Sequence, residues 1–138
     1  MAFWLLKTEP SAYSFADLLR DRRTRWDGIS NAQAQANLRA MQVGDALVVY
    51  HSGAKEAVGT ARVARAAYPD PADASGRSAV VDVEVAEGLP APVPLERLKA
   101  DPAFRGSPLV RQGRLSVVPL TPEQWSAVER LSRSATRS

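Results

Sequence analysis

The segment from Ala46 to Ala67 restricts the fold of this 138-residue chain more than any other. Ala46 to Tyr50 is apolar throughout, which is typical of a strand buried on both faces, and Val58 to Ala67 follows as a second strand. The short stretch between them carries Gly53, so the two strands are predicted to form a hairpin. A central hairpin favours a sheet in which strands that follow one another along the chain pair directly.

Further strand signals lie on both sides of this hairpin. Apolar runs occur at Phe3 to Lys7 and at Leu115 to Val118, and valines alternate with acidic residues from Val81 to Val85. Such alternation is typical of a strand with one face towards the core and the other towards water. The sequence therefore predicts a strand at each of these three segments.

Helices are predicted where a capping residue precedes an apolar stripe. The predicted helices are Ser14 to Arg20, a helix capped by Asn31, Leu95 to Lys99, and a helix that starts in the capping box Thr121 to Gln124 and runs to about Leu131. Apolar residues share one face of the second and of the last helix, namely Ala34, Leu38 and Met41, and Trp125, Val128 and Leu131. Residues 133–138 are polar and expected to be disordered, which leaves one domain at residues 1–132.

Short strands outnumber helices in this pattern, which favours the α+β class. We expect a mixed or antiparallel sheet that curls into a small β-barrel with flanking helices. The chain has no run of about 18 apolar residues and no basic leader followed by an apolar stretch. We therefore expect a cytoplasmic protein that makes no contact with a membrane.

The residue counts also restrict the chemistry. The chain has no cysteine and one histidine, His51, so thiolate catalysis is excluded and a zinc site of the usual kind is not expected. Phosphate-binding glycine loops and hydrolase motifs are missing from the sequence. We expect no metal, no organic cofactor and no catalytic residue. The net charge is only +3, so any affinity for nucleic acid must come from local clusters of basic residues.

The first candidate site is a basic run that leads into an aromatic residue. Arg20, Arg22, Arg23 and Arg25 precede Trp26, and phosphate contacts combined with base stacking require this pairing of residue types. The alternative is a solvated loop in which the arginines balance nearby aspartates.

The second candidate site is Trp26-Asp27-Gly28, interpreted as a loop, with Asn31 close behind it. A tryptophan in a loop is exposed unless it packs or receives a flat ligand, and an asparagine offers a donor and an acceptor to a base edge. The alternative is a core tryptophan, with Asn31 as the cap of the next helix.

Polar residues next to strands form the remaining candidates. His51 and Ser52 follow the buried strand, where a barrel would open, and Arg111 and Arg114 stand beside Gln112 ahead of a strand. A structural histidine and a surface loop with ion pairs are the alternatives. Catalysis by His51 would need an oriented nucleophile and carboxylate, which residue types alone do not establish.

Taken in order, these segments resemble the EVE domain family over nearly the whole chain. The matching motifs are Trp4 to Pro10 with Tyr13-Ser14, Trp26 to Ile29 with Asn31 and Gln33-Ala34, Gly44-Asp45 with Tyr50 to Ser52, Tyr68 to Asp70, Val81 to Val83, Leu109 to Gln112, and Arg114 to Val117. The resemblance implies a PUA-like fold, a small curled β-barrel with flanking helices. It also implies a module that reads modified bases, such as methylated or hydroxymethylated ones, in DNA or RNA through a pocket for one flipped base.

The resemblance and the residue patterns together indicate which side chains serve such a pocket. Trp26 becomes the stacking wall, and the family commonly has arginine and tyrosine where this chain has Ser30 and Ala32. The residues expected to bind the base are Lys7, Thr8, Trp26, Asp27, Asn31, His51, Ser52 and Arg111, and those expected to contact the nucleic-acid backbone are Arg22, Arg23, Arg25 and Arg114.

Two other functions stay open at the level of sequence. The same fold suits an RNA-binding module that recognises RNA shape and phosphates rather than a modified base. An enzyme acting on a nucleotide would use His51 or Asp27 as its base. We expect a monomer in each case.

Overall fold

A computed structural model describes residues 1–134 of the chain. The strands are β1 (Phe3–Thr8), β2 (Arg23–Trp26), β3 (Ala46–His51), β4 (Glu56–Pro69), β5 (Ala79–Pro94) and β6 (Val117–Leu120). The helices are α1 (Phe15–Asp21), α2 (Ala32–Ala40), α3 (Leu95–Ala100), α4 (Pro108–Arg111) and α5 (Pro122–Ser134), with a 3-10 turn at Pro102–Phe104.

The strands form one sheet in the order β2-β5-β4-β3-β1-β6. β1 pairs with β3 in parallel, and the other four neighbouring pairs are antiparallel. The predicted hairpin is confirmed as β3 and β4. The α+β class, with a mixed sheet and flanking helices, is confirmed as well.

The predicted barrel does not close. β2 pairs with β5 and β6 pairs with β1, and no pairing joins these two edge strands within residues 1–134. Each edge strand has only four residues. Pro119 in β6 also lacks the N–H group that a second neighbouring strand would need. The sheet is therefore open, with β2 and β6 as its edges.

The arginine-rich segment before Trp26 is a strand that the sequence does not predict, and Trp26 ends this strand, so the predicted loop begins only at Asp27. In the antiparallel pairing of β2 with β5, Arg23 lies opposite Glu84, Arg25 opposite Asp82 and Trp26 opposite Val81. Residues directly opposite each other share a face of the sheet, so the acidic residues of β5 accompany the arginines. The partner strand thus stabilises a segment that has no apolar periodicity of its own.

The core lies between the sheet and the helices packed on it. Leu47, Val48 and Val49 of β3 are buried, in agreement with the predicted buried strand. Leu38 of α2 and Met41 just after it are buried as well, which confirms the predicted face of that helix. None of the helices in residues 1–134 is long and apolar enough to span a membrane.

The last helix begins as predicted but runs further. Thr121 and Gln124 form the predicted capping box, with hydrogen bonds of 2.9 and 3.1 Å. Ser132 is buried, and its hydroxyl bonds the backbone N–H and carbonyl of Ala91, so the helix continues past Leu131. Residues 133 and 134 therefore belong to α5. The rest of the predicted disordered tail, residues 135–138, lies outside the described residues.

Asp45 ties the starts of β1 and β3 together. Its buried carboxylate accepts hydrogen bonds, each 3.0 Å long, from the backbone N–H of Ala2, the indole N–H of Trp4 and the backbone N–H of Gln42. Burial by itself raises the pKa of Asp45, but these hydrogen bonds outweigh it and hold the pKa below its usual range. The carboxylate therefore stays ionised in the folded protein.

A glycine in β4 lets the first helix approach the sheet. A Cβ atom on Gly59 would lie 2.2 Å from Cζ of Phe15, the first residue of α1, and Phe15 is itself buried. The backbone N–H of Phe15 also donates to Nε2 of His51 at 3.0 Å. Together these contacts seat α1 over the end of β3.

Gly59→Ala is expected to lower the free energy of unfolding by about 1–3 kcal/mol, because the added methyl group overlaps the Phe15 ring. Gly88→Ala is the matched control, since a Cβ atom there would meet the same ring at an ordinary 3.7 Å. Thermal unfolding of the two variants measures the difference. Equal Tm values would show that the ring moves aside without cost.

Asp45→Asn is expected to cost about 1–3 kcal/mol of stability at neutral pH, because its amide N–H₂ would face N–H donors. The pKa of Asp45 is lowered by folding, so its contribution is present at neutral pH and is lost as the pH falls below about 4. Urea unfolding of both proteins across this range measures the effect. The difference in the free energy of unfolding between the two proteins should become smaller in acid. A difference that stays constant would contradict the conclusion that the Asp45 carboxylate is ionised in the folded protein.

Candidate functional site

The ends of β1 and β2 border a cavity of about 570 Å³, which we call the main cavity. The turn after β1 and the loop after β2 complete its walls. The volume falls in the usual range of small-ligand pockets. The lining residues are Lys7, Thr8, Glu9, Ala12, Tyr13, Thr24, Arg25, Trp26, Asp27, Gly28, Ile29 and Ser116.

Two aromatic rings form adjoining walls of the main cavity. Trp26 is only 6% exposed, and its ring meets that of Tyr13 edge to face, with the centroids 6.2 Å apart and the planes at 90°. The N–H of Tyr13 bonds the Glu9 carbonyl at 2.9 Å, which fixes the turn after β1. Burial, aided by a 2.9 Å hydrogen bond from the Tyr13 hydroxyl to Asp21, raises the pKa of Tyr13. The phenol therefore stays neutral.

Polar groups of three kinds reach the main cavity. The Thr8 hydroxyl donates to the Tyr13 carbonyl at 2.6 Å and keeps its lone pairs as acceptors. The Lys7 ammonium donates to the Gly113 carbonyl at 2.8 Å and keeps two further donors, while burial lowers the pKa of Lys7. The exposed Asp27 carboxylate has no hydrogen-bond or ion-pair partner among residues 1–134. The arrangement suits a flat ligand with polar edges.

Four of the residues predicted to bind a ligand lie outside the main cavity. The Asn31 side chain caps α2 at 2.9 Å, so its alternative as a helix cap is confirmed. His51 accepts a backbone hydrogen bond at the start of α1, and Ser52 donates to Glu9 at 3.4 Å. Arg111 is exposed at the end of α4. No group of three His, Asp or Glu side chains in residues 1–134 is placed to hold a metal ion.

The arginines predicted to contact a nucleic-acid backbone are all exposed. Arg25 lines the main cavity, and Arg23 and Arg25 each form an ion pair with an aspartate, at 3.4 and 3.9 Å. Arg22 ends α1 with a φ of 70°, and Arg114 lies beyond α4. Arg25 therefore stands at the main cavity and Arg23 lies two residues before it in β2, whereas Arg114 lies in the segment between α4 and β6.

Tyr13, Thr24 and Ile29 line the main cavity but are not among the ligand-binding residues predicted from the sequence. A signal for Tyr13 was present, since Pro10 breaks the chain directly after a strand and Tyr13 belongs to a matching motif. Thr24 gives none, because its segment has no apolar periodicity and becomes a strand only through its pairing with β5.

Solved structures with the same fold cover nearly the whole chain. The NMR structure of Rpa0253 from Rhodopseudomonas palustris has a TM-score of 0.91 and 39% identity, over 97% of this chain and 94% of that chain. The crystal structure of human THYN1 protein in complex with 5-methylcytosine-containing DNA has a TM-score of 0.83 and 30% identity, over 96% of this chain and 98% of that chain. These likenesses show that the chain shares its fold, an open mixed sheet with flanking helices, with both proteins.

Sequence comparison gives a consistent result. Thymocyte nuclear protein 1 from Gallus gallus is 32% identical, over 91% of this chain and 66% of its own length, so this chain spans about two thirds of that relative. The family model described as the EVE domain matches residues 2–131, nearly all of the chain. The chain therefore belongs to the EVE domain family.

Proposed function

We propose that the chain is a nucleic-acid-binding reader that holds one flipped, modified nucleobase in the main cavity. The observation that carries the proposal is the pair of aromatic walls, Trp26 and Tyr13, beside polar groups with free donors and acceptors. The human THYN1 protein, 30% identical to this chain, is the relative crystallised with DNA that contains 5-methylcytosine. That complex supports a nucleic acid with a modified base as the partner.

The energetics of base flipping favour a cavity with aromatic walls. Extracting a base from its stack costs a few kcal/mol, and stacking on an aromatic side chain returns about 1–3 kcal/mol per base. Because Trp26 and Tyr13 meet edge to face, a base stacked on one ring meets the edge of the other. Hydrogen bonds to the edge of the base then supply the remaining free energy that is needed to offset the cost of flipping.

The polar groups fit the edge of a pyrimidine such as cytosine. A carboxylate accepts from its exocyclic amine, and the Asp27 carboxylate is unpaired among residues 1–134. Lys7 keeps donors for the ring acceptors. Ala12 and Ile29 add apolar surface to the lining, against which a methyl group would pack. One such group is worth about 1–3 kcal/mol, or roughly 10- to 200-fold in selectivity.

The two alternatives receive less support from the site. An enzyme that used His51 as its base would need its Nε2 atom, which accepts the Phe15 N–H in the fold. Turnover of a modified nucleoside by the purified protein would establish the enzyme. A module that recognises RNA shape would bind unmodified RNA as tightly as RNA with a modified base. The cytoplasmic location and the monomeric state stay predictions.

Trp26→Leu tests the stacking wall while it keeps an apolar side chain in β2. We expect an oligonucleotide with one 5-methylcytosine to bind about 1–3 kcal/mol more weakly, because the stacking face is lost. Trp26→Phe keeps an aromatic ring and should lose less of the binding free energy. Calorimetric titration measures both, and an oligonucleotide with unmodified cytosine gives the selectivity.

Both Trp26 substitutions shrink a buried side chain, so thermal unfolding must accompany the titrations. Binding is compared at temperatures where all three proteins are fully folded. If the leucine variant binds the modified oligonucleotide as tightly as the parent, Trp26 is a core residue without a role in stacking.

Arg23→Ala with Arg25→Ala should weaken the binding of an oligonucleotide more than that of a free methylated nucleoside, because phosphate contacts position the polymer. Removing two phosphate contacts should flatten the plot of log affinity against log salt by about 1.4–1.8. The matched control is Arg62→Ala with Arg130→Ala, two exposed arginines that are also paired with carboxylates but lie on β4 and α5 rather than on β2. Equal slopes in both double variants would leave Arg23 and Arg25 as surface charge only.

A further inference from the structure

The chain has three lysines, and all three line one second cavity of about 240 Å³, which we call the lysine cavity. Lys7 lies in β1, Lys55 at the tip of the β3–β4 hairpin and Lys99 in α3. These elements are far apart along the chain, so only the tertiary fold brings the three ammonium-bearing side chains to one place. Lys7 alone among them is predicted from the sequence to bind a ligand.

The backbone at Lys55 is held in an unfavourable conformation on the side of the lysine cavity. Its φ is 56°, in the left-handed region that disfavours residues other than glycine. The N–H of Leu95, another lining residue, donates to the Lys55 carbonyl at 2.8 Å and holds the hairpin tip against the start of α3. The position of Lys55 at this cavity is therefore fixed by the fold.

None of the three lysines forms an ion pair with a carboxylate within residues 1–134. All six ion pairs found within residues 1–134 are made by arginines, and no carboxylate lines this cavity. Glu96 lines an adjoining cavity that Lys55 and Lys99 also border. Three cations with one shared concave surface repel each other, and a bound anion relieves that repulsion.

The lysine cavity shares a wall with the main cavity. Lys7 lines both of them, and its ammonium donates to Gly113, which lines the lysine cavity. Ser52 lines the lysine cavity as well, and its hydroxyl bonds Glu9 of the main cavity at 3.4 Å. A group bound by the lysines therefore lies beside a ligand in the main cavity.

We propose that the lysine cavity binds a phosphate group and, resting on the function proposed above, that this is a phosphate attached to the flipped nucleotide. Lysine ammonium groups bind phosphate as point charges, and the three lysines of this cavity supply the hydrogen-bond donors. Leu95, Leu109 and Val110 form an apolar part of the lining, which strengthens the attraction by excluding water. Burial lowers the pKa of Lys7, so a bound anion would also favour its charged form.

The test compares 5-methyl-2′-deoxycytidine with its 5′- and 3′-monophosphates by calorimetric titration. We expect at least one monophosphate to bind about tenfold more tightly than the nucleoside. Lys55→Ala with Lys99→Ala should abolish that gain and leave the affinity for the nucleoside unchanged. Lys55→Arg with Lys99→Arg keeps the charges and should keep most of the gain. Arg62→Ala with Arg130→Ala removes the same charge away from both cavities and should keep all of it.

Inorganic phosphate, titrated alone, separates a free anion from a nucleotide phosphate. If it binds through Lys55 and Lys99 while the monophosphates gain nothing over the nucleoside, the cavity takes free phosphate and its assignment to the nucleotide is wrong. If the nucleoside binds but no phosphate binding depends on the lysines, the lysine cavity is refuted and base recognition stands. If no nucleoside binds, the proposed function fails, and inorganic phosphate alone then decides whether the cavity is an anion site.

Discussion

The parallel pairing of β1 with β3 is the interaction on which the rest of the structure depends. Its register places Thr8 beside His51 at one end, and Asp45 ties the strands together at the other. The Ser52 N–H extends the pairing by donating to the Thr8 carbonyl at 2.9 Å. Because parallel strands finish at the same edge of a sheet, their last residues come together there. This is why Lys7 borders both cavities.

Parallel neighbours require a long crossover, and here the crossover builds the aromatic part of the site. It contains α1, β2 and α2, and it carries Tyr13 and Trp26. The close approach of Phe15 to Gly59 seats its first helix on the sheet. β2 then leaves for the far edge and pairs with β5. The strands thus supply polar side chains to the main cavity, and the crossover supplies the rings of Tyr13 and Trp26. The cavity therefore forms only when the crossover is packed in place beside the strands.

Local signals predicted the segments that carry their own periodicity or caps. The hairpin, the capping box of α5 and the buried face of α2 were correct for that reason. β2 was missed because its arginines form a strand only opposite the acidic residues of β5. Lys55 and Lys99 carry no local signal either, since they meet through the hairpin tip and α3. The residues that the sequence did not reveal are those that tertiary contacts bring together.

Trp26 and its neighbours in β2 combine structural and recognition chemistry in one short strand. The indole is buried opposite Val81, yet it also lines the main cavity, so the pairing that stabilises the core also sets the position of the cavity wall. Arg23 and Arg25 alternate with it on an edge strand, where charged side chains discourage pairing with another chain. This protection of the sheet edge does not require the arginines to contact phosphate groups. Binding energy that varies with salt is therefore what distinguishes recognition by these arginines from protection of the edge.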